Sequence, residues 1–253
     1  MKKLTTRDIR ALKGKKAQML TCYDFQTAQL LNETDVDMLL VGDSLGNVVL
    51  GFDTTVQVTP AMMALFGQAV RRGAPDKFLI IDMPFGSYAT VAQGLRTGTK
   101  LMQTCNAEAV KLEGAHETEL KTIKRLTEVG VAVMGHIGLT PQSVHQMGGY
   151  FTHGKKTDRA QELRDEARRL QDAGCFSIVL ECITAELSAA ITKDLEIPTI
   201  GIGSGTDVDG QVLVTNDLLK MGQHTPPKFV KPIADLYDLR KKLIEKYLKE
   251  NRA

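Results

Sequence analysis

Cysteine is scarce and badly placed for a covalent framework. The four thiols, Cys22, Cys105, Cys175 and Cys182, include no CxxC pair. That excludes the common zinc and redox spacings and leaves buried thiols in a reducing compartment as the expectation. An excess of one charge is lacking too. The 32 Lys and Arg stand against 30 Asp and Glu, so there is no electrostatic case for nucleic acid or an anionic membrane surface. The cluster Lys13, Lys15, Lys16 and the run 240–242 are short and read as solvated faces. No apolar run approaches the roughly 20 residues of a membrane helix. Residues 1–10 are polar and lead into no apolar stretch of signal-peptide length. A cytoplasmic protein is therefore expected. Internal repeats and low-complexity segments are also missing, so a single domain over 1–253 is expected, large enough to bury one substantial core.

What the sequence does contain is a series of short apolar runs, at 18–23, 36–42, 77–82, 109–113, 131–135, 176–181, 198–203 and 211–215. Continuous runs, rather than strict alternation, suit strands covered on both faces of a parallel sheet. Most of the stretches between them are long enough for the crossover helix that parallel neighbours require. The gap from Gly203 to Gln211 is too short for one, so the seventh connection is expected to be irregular. Eight such units in about 250 residues predict a single (β/α)₈ barrel, with an open doubly wound sheet as the alternative. The segment Gly201, Gly203, Gly205 partly matches a dinucleotide fingerprint, but Thr206 stands where its last glycine should be. From Ile233 onward, Leu236, Leu239, Leu243, Ile244, Tyr247 and Leu248 recur at helical spacing. They predict a carboxyl-terminal helix over about 233–250, its apolar stripe facing the barrel or another subunit.

The polar residues at the ends of these runs carry the chemistry. Asp43 and Ser44 follow the second run, Asp82 ends the third, and Lys111 and Glu113 end the fourth. His136 follows the fifth and Glu181 closes the sixth. In barrel enzymes the carboxyl ends of the strands form the active-site face, so these groups would converge there. Asp43 and Asp82 offer the hard oxygen ligands that Mg²⁺ favours, whereas zinc would want more His or Cys than the single His136. A metal held in this way would chelate a 2-oxo acid and stabilise the enolate formed when the neighbouring carbon loses a proton. Glu181 is the favoured base, because Ile178, Val179, Leu180 and Ile183 flank it with apolar side chains; Glu113 is the alternative. Lys111 would pair with the substrate carboxylate or, alternatively, form a Schiff base. His136 would hydrogen-bond a substrate oxygen or shuttle a proton.

Nine segments together resemble the ketopantoate hydroxymethyltransferase family. They are MLTCYD (19–24), VGDSLG (41–46), AVRRG (69–73), DMPF (82–85), VKLEG (110–114), GHIGLTPQS (135–143), LEC (180–182), IPTIGIG (197–203) and PKFV (227–230). They occur in the family's order and cover nearly the whole chain. The resemblance implies a barrel enzyme that moves a one-carbon unit from 5,10-methylenetetrahydrofolate to 3-methyl-2-oxobutanoate, giving 2-dehydropantoate for pantothenate and coenzyme A synthesis. It implies one Mg²⁺ per subunit on Asp43 and Asp82 with Glu113 beside it. The oxo acid would lie among Asp43, Ser44, Asp82, Lys111 and His136, with Glu181 as proton acceptor. It also implies a homo-oligomer, commonly a decamer. Phe66, where the family commonly has histidine, the stretch 151–161, and Cys105 with Asn106 depart from the pattern; none removes a proposed catalytic group. The alternative is a Mg²⁺-dependent carbon–carbon lyase of the isocitrate lyase and phosphoenolpyruvate mutase type. The lyase branch relies on a loop cysteine motif that has no match here.

Overall fold

A computed structural model describes residues 3–252. Its strands are β1 (Ala17–Thr21), β2 (Met38–Val41), β3 (Phe78–Asp82), β4 (Ala109–Glu113), β5 (Ala132–Gly138), β6 (Ser177–Glu181), β7 (Thr199–Ile202) and β8 (Gly210–Leu213). They close into a barrel in sequence order, each pairing in parallel with the next. The eight apolar runs are these eight strands, and closure rules out the open sheet. Six helices of eight residues or more alternate with the first seven strands. Among the described residues no helix joins β7 to β8, as the short interval requires.

Helix starts are written locally. Asp24 caps Phe25–Asn32 by accepting from Thr27 N, Thr59 caps Pro60–Gly73 with proline in its first turn, and Thr90 caps Val91–Cys105. The helices cover the outward side chains of the strands, and the inward side chains fill the barrel. Met19, Met38, Leu40, Phe78, Ile80, Ala109, Met134, Val179, Ile200 and Val212 belong to one buried cluster. Ile9, from the short helix Thr6–Arg10, joins the same cluster. Phe78 and Phe176 meet edge to face there, with ring centroids 5.7 Å apart.

Side chains alternate along a strand, so each inward row continues from the core towards the carboxyl end. Phe78 and Ile80 lead to Asp82, Ala109 leads to Lys111 and Glu113, Met134 to His136, and Val179 to Glu181. Register keeps these groups level. Asp82 stands opposite Lys111, Glu113 opposite His136, and Gly138 opposite Glu181. β5 runs three residues beyond the apolar stretch at 131–135 because His136 is an inward strand residue rather than a loop residue. Gly138 ends it at φ 98°, where a Cβ would lie 2.2 Å from the Glu181 carbonyl oxygen.

The amino end of the barrel corrects one sequence expectation. Lys13 is a half-buried structural tie rather than part of a solvated face, whereas Lys15 and Lys16 are exposed, as expected. Lys13 Nζ pairs with buried Asp209 at 2.9 Å and donates to Thr192 O, and Lys16 Nζ donates to Thr206 O and Val208 O. Asp209 also accepts from Gly14 N at 2.8 Å and Thr199 N at 2.9 Å. Removing this acceptor strands several donors at once. Asp209→Ala is expected to cost about 2–3 kcal/mol, read as a fall in Tm of roughly 5–10 °C for a chain of this size. An unchanged Tm would show that the ties contribute nothing.

Residues up to Val212 form one compact unit and residues from Leu213 a second. The second contains the expected carboxyl-terminal helix, Leu236–Glu250. Asp235 sets its start by accepting from Asp238 N. None of its residues is buried, and Leu239, Leu243, Ile244, Tyr247 and Leu248 are all exposed.

Candidate active site

The polar ends of β2 to β6 do converge. Asp43, Asp82, Lys111, Glu113 and His136 are all buried. Asp82 Oδ2 accepts from Asp43 N at 3.0 Å, and its Oδ1 lies 3.1 Å from Lys111 Nζ. Lys111 Nζ is in turn 3.2 Å from His136 Nδ1. The imidazole spans two carboxylates, with Nδ1 3.4 Å from Glu113 Oε1 and Nε2 3.1 Å from Glu181 Oε2. Ser44, half-buried just after β2, shares a 2.7 Å hydrogen bond with the Tyr23 hydroxyl. Asp43, Asp82, Lys111, Glu113, His136 and Glu181 thus form one connected group, with Ser44 next to it in the chain and bonded to Tyr23. Glu181 is its most accessible carboxylate after packing, with 16% of its side chain exposed against 3% for both Asp82 and Glu113.

Burial and charge act against each other here. Burial holds the Asp43 carboxyl well above the usual carboxylate range, and the charges of Asp82 and Glu113 push the same way. Burial also raises Asp82, against the pull of Lys111. For Glu113 burial is outweighed by His136, Lys111 and the Gln142 amide, and the net direction is down. Burial alone would lower Lys111, yet Asp82, Glu113 and Asp43 raise it overall, so it is an ammonium at neutral pH. His136 rises to about 9, because pairing with Glu113 and Glu181 overcomes both burial and the nearby ammonium.

The apolar flank read around Glu181 needs correcting. Ile178 and Leu180 are on the outward face of β6, so they do not surround the carboxylate; what adjoins it inside the barrel is His136. Cys182, directly after it, has φ 49°, a left-handed conformation uncommon for a residue with a Cβ. The four cysteines are free thiols; Cys22, Cys105 and Cys175 are buried, as expected, while Cys182 is half-buried, and burial pushes Cys22, Cys175 and Cys182 up to about 12.

Two residues in the cluster carried no individual sequence expectation. Gln142, in the turn Pro141–Ser143 after β5, donates from Nε2 to Asp43 Oδ2 at 2.8 Å and to Met83 O at 3.0 Å. Its backbone N donates to Glu113 Oε2 at 3.1 Å, and its Oε1 accepts from the Tyr88 hydroxyl at 2.6 Å. The signal for Gln142 was its place in GHIGLTPQS, six residues after His136. Tyr88, six residues after Asp82, has no comparable signal. A cleft of about 320 Å³ opens beside these groups, lined among others by Phe85, Tyr88, Glu113, Gln142 and Met147.

The donor set fits a hard divalent cation. Among the described residues no three His, Cys, Asp or Glu side chains form a ready-made metal cage. Mg²⁺ does not need one, since it keeps several waters and is held by one or two carboxylates plus substrate oxygens. Asp43 and Asp82, side by side at the ends of neighbouring strands, could provide that pair.

Comparison with known proteins decides the family. The family model described as ketopantoate hydroxymethyltransferase matches residues 3–253. The chain belongs to the ketopantoate hydroxymethyltransferase family. It is accordingly an enzyme, a one-carbon transferase. A 3-methyl-2-oxobutanoate hydroxymethyltransferase of Leptospira interrogans (serovar copenhageni, strain Fiocruz L1-130) is 48% identical over 240 residues, covering 94% of this chain and 91% of that protein. One of Syntrophus aciditrophicus (strain SB) is 47% identical over 252 residues, covering 98% and 92%. Solved structures of similar fold include 2,3-dimethylmalate lyase, a phosphoenolpyruvate mutase/isocitrate lyase superfamily member, with TM-score 0.63 and 17% identity over 98% of this chain and 85% of that one. Phosphonopyruvate hydrolase in complex with oxalate and Mg²⁺ has TM-score 0.64 and 10% identity, covering 98% and 99%. These two share the fold with the ketopantoate hydroxymethyltransferase family. The lyase alternative therefore survives as a relationship of architecture and not as this chain's reaction.

Proposed function

We propose that this enzyme takes a one-carbon unit from 5,10-methylenetetrahydrofolate and adds it, with water, to 3-methyl-2-oxobutanoate, releasing tetrahydrofolate and 2-dehydropantoate. The observation that carries this reading is the convergence of Asp43, Asp82, Lys111, His136 and Glu181 at the carboxyl ends of five successive strands. Asp43 and Asp82 would hold Mg²⁺, with Glu113 standing beside them; the metal supplies the Lewis acidity that makes the carbon next to the keto group acidic. Phosphonopyruvate hydrolase, which has this fold and was solved in complex with oxalate and Mg²⁺, supports a metal ion and a small carboxylate-bearing ligand here. Lys111 and Ser44 would receive the substrate carboxylate and oxo group, with His136 orienting its oxygens. Glu181 removes the C3 proton and leaves an enolate whose carbon attacks the one-carbon unit.

The exposed apolar stripe of Leu236–Glu250 supports homo-oligomeric assembly, a decamer on the family pattern. None of the described helices is long and apolar enough to cross a membrane.

Deuterium loss from C3-deuterated 3-methyl-2-oxobutanoate tests the route. Loss is expected only with Mg²⁺, and addition of methylenetetrahydrofolate should convert exchange into 2-dehydropantoate formation. Metal-independent exchange would rule out the Lewis-acid role. Exchange that never yields product on adding the folate would assign a different electrophile.

A further inference from the structure

Gln142 touches both sides of the carboxylate cluster without adding charge to it. Its two amide hydrogens go to Asp43 Oδ2 and Met83 O, and its amide oxygen receives the Tyr88 hydroxyl. All three residues are buried, together with Gln142 itself and Glu113. One orientation of the amide satisfies this set. A flipped amide would turn its oxygen towards two acceptors, Asp43 Oδ2 and Met83 O. Asp43 Oδ2 and Met83 O therefore fix which end of the amide faces Asp43, and the Tyr88 hydroxyl, which also lies 3.5 Å from Glu113 O, holds the opposite end. The backbone N of the same residue holds Glu113 Oε2 at 3.1 Å.

We infer that Gln142, locked by Tyr88, is a positioning residue that sets Asp43 as a one-oxygen metal ligand. With Oδ2 occupied by the amide, Asp43 has Oδ1 left to offer beside Asp82. Single-oxygen ligation suits the near-octahedral geometry of Mg²⁺, and a carboxylate free to swing would also present a two-oxygen mode that does not. The amide is neutral in a site that already holds Asp43, Asp82, Glu113 and Lys111, all buried. A charged partner in place of Gln142 would either add a further anion or neutralise the ligand.

The inference rests on Asp43 and Asp82 being the metal ligands, and its test separates the two ideas. Mn²⁺ binding is titrated by electron paramagnetic resonance in wild type, Gln142→Met and Tyr88→Phe, with thermal melts alongside. Gln142→Met keeps the volume and the backbone N–H but loses the amide. Its Mn²⁺ Kd is expected to rise about 10- to 100-fold, the usual effect of losing a group that orients a ligand. Tyr88→Phe removes one hydrogen bond and should raise Kd roughly three- to tenfold. A wild-type Tm in a variant whose Mn²⁺ affinity has fallen separates this role from general loss of structure. Wild-type Mn²⁺ affinity in a folded Gln142→Met protein would overturn the inference. Should that variant fail to fold, wild-type affinity in Tyr88→Phe would overturn it equally. A wild type that binds no Mn²⁺ would remove the metal reading itself, whereas normal wild-type binding with unaffected variants removes only the clamp.

Discussion

Glu181→Gln is expected to slow deuterium loss from 3-methyl-2-oxobutanoate by about 10³-fold, within the range that a positioned general base contributes, with little change in Tm. The substitution keeps the shape of the side chain and leaves an oxygen facing His136 Nε2, now 3.1 Å from the carboxylate. Only the capacity to accept a proton is lost. The partly exposed Glu181 can face a bound oxo acid, whereas Glu113 is enclosed and already engaged by His136 and the Gln142 backbone. Glu113→Gln should accordingly act on metal affinity before it acts on proton removal. The comparison is made by measuring exchange at saturating Mg²⁺ in both variants. Exchange that persists in Glu181→Gln and vanishes in Glu113→Gln would transfer the base to Glu113.

The reach of the sequence followed from how this fold encodes itself. Strands buried on both faces are written as continuous apolar runs, and an inward row that changes from apolar to ionisable marks the active end. Asp82, Lys111 and Glu181 are therefore legible in the sequence alone as strand-end groups. Which neighbours a strand residue meets is harder to read, because alternation sends adjacent side chains to opposite faces. Ile178 and Leu180 are next to Glu181 in the chain, while His136, forty-five residues away, is next to it in space. Gln142 and Tyr88 escaped for a related reason. They sit in loops, where no periodicity reports direction, and their roles depend on pairing with each other and with Asp43 across three different strand ends. Lys13 looked like surface charge because its partner Asp209 is 196 residues distant in sequence.

Lys111→Met should destabilise the protein by about 3–5 kcal/mol, the cost of leaving buried charge without its partner, which corresponds to a Tm lower by roughly 10 °C in a chain of this length. Lys111 stands among Asp82, Asp43 and Glu113, whose charges keep it protonated in spite of burial. Without it, these carboxylates face one another with only His136 to offset them. A divalent cation at Asp43 and Asp82 would replace the missing positive charge, so Mg²⁺ is expected to raise the Tm of the variant more than that of the wild type. Equal Mg²⁺ shifts in both proteins would show that the ion does not bind beside Lys111. The same surroundings decide the role of Lys111 in catalysis. A Schiff base needs a free amine, and an amine held as ammonium by carboxylates is a poor nucleophile. It is instead suited to a substrate carboxylate. Borohydride treatment with the oxo acid present should leave wild-type activity intact and add no mass to the chain; reductive trapping at Lys111 would restore the Schiff-base route.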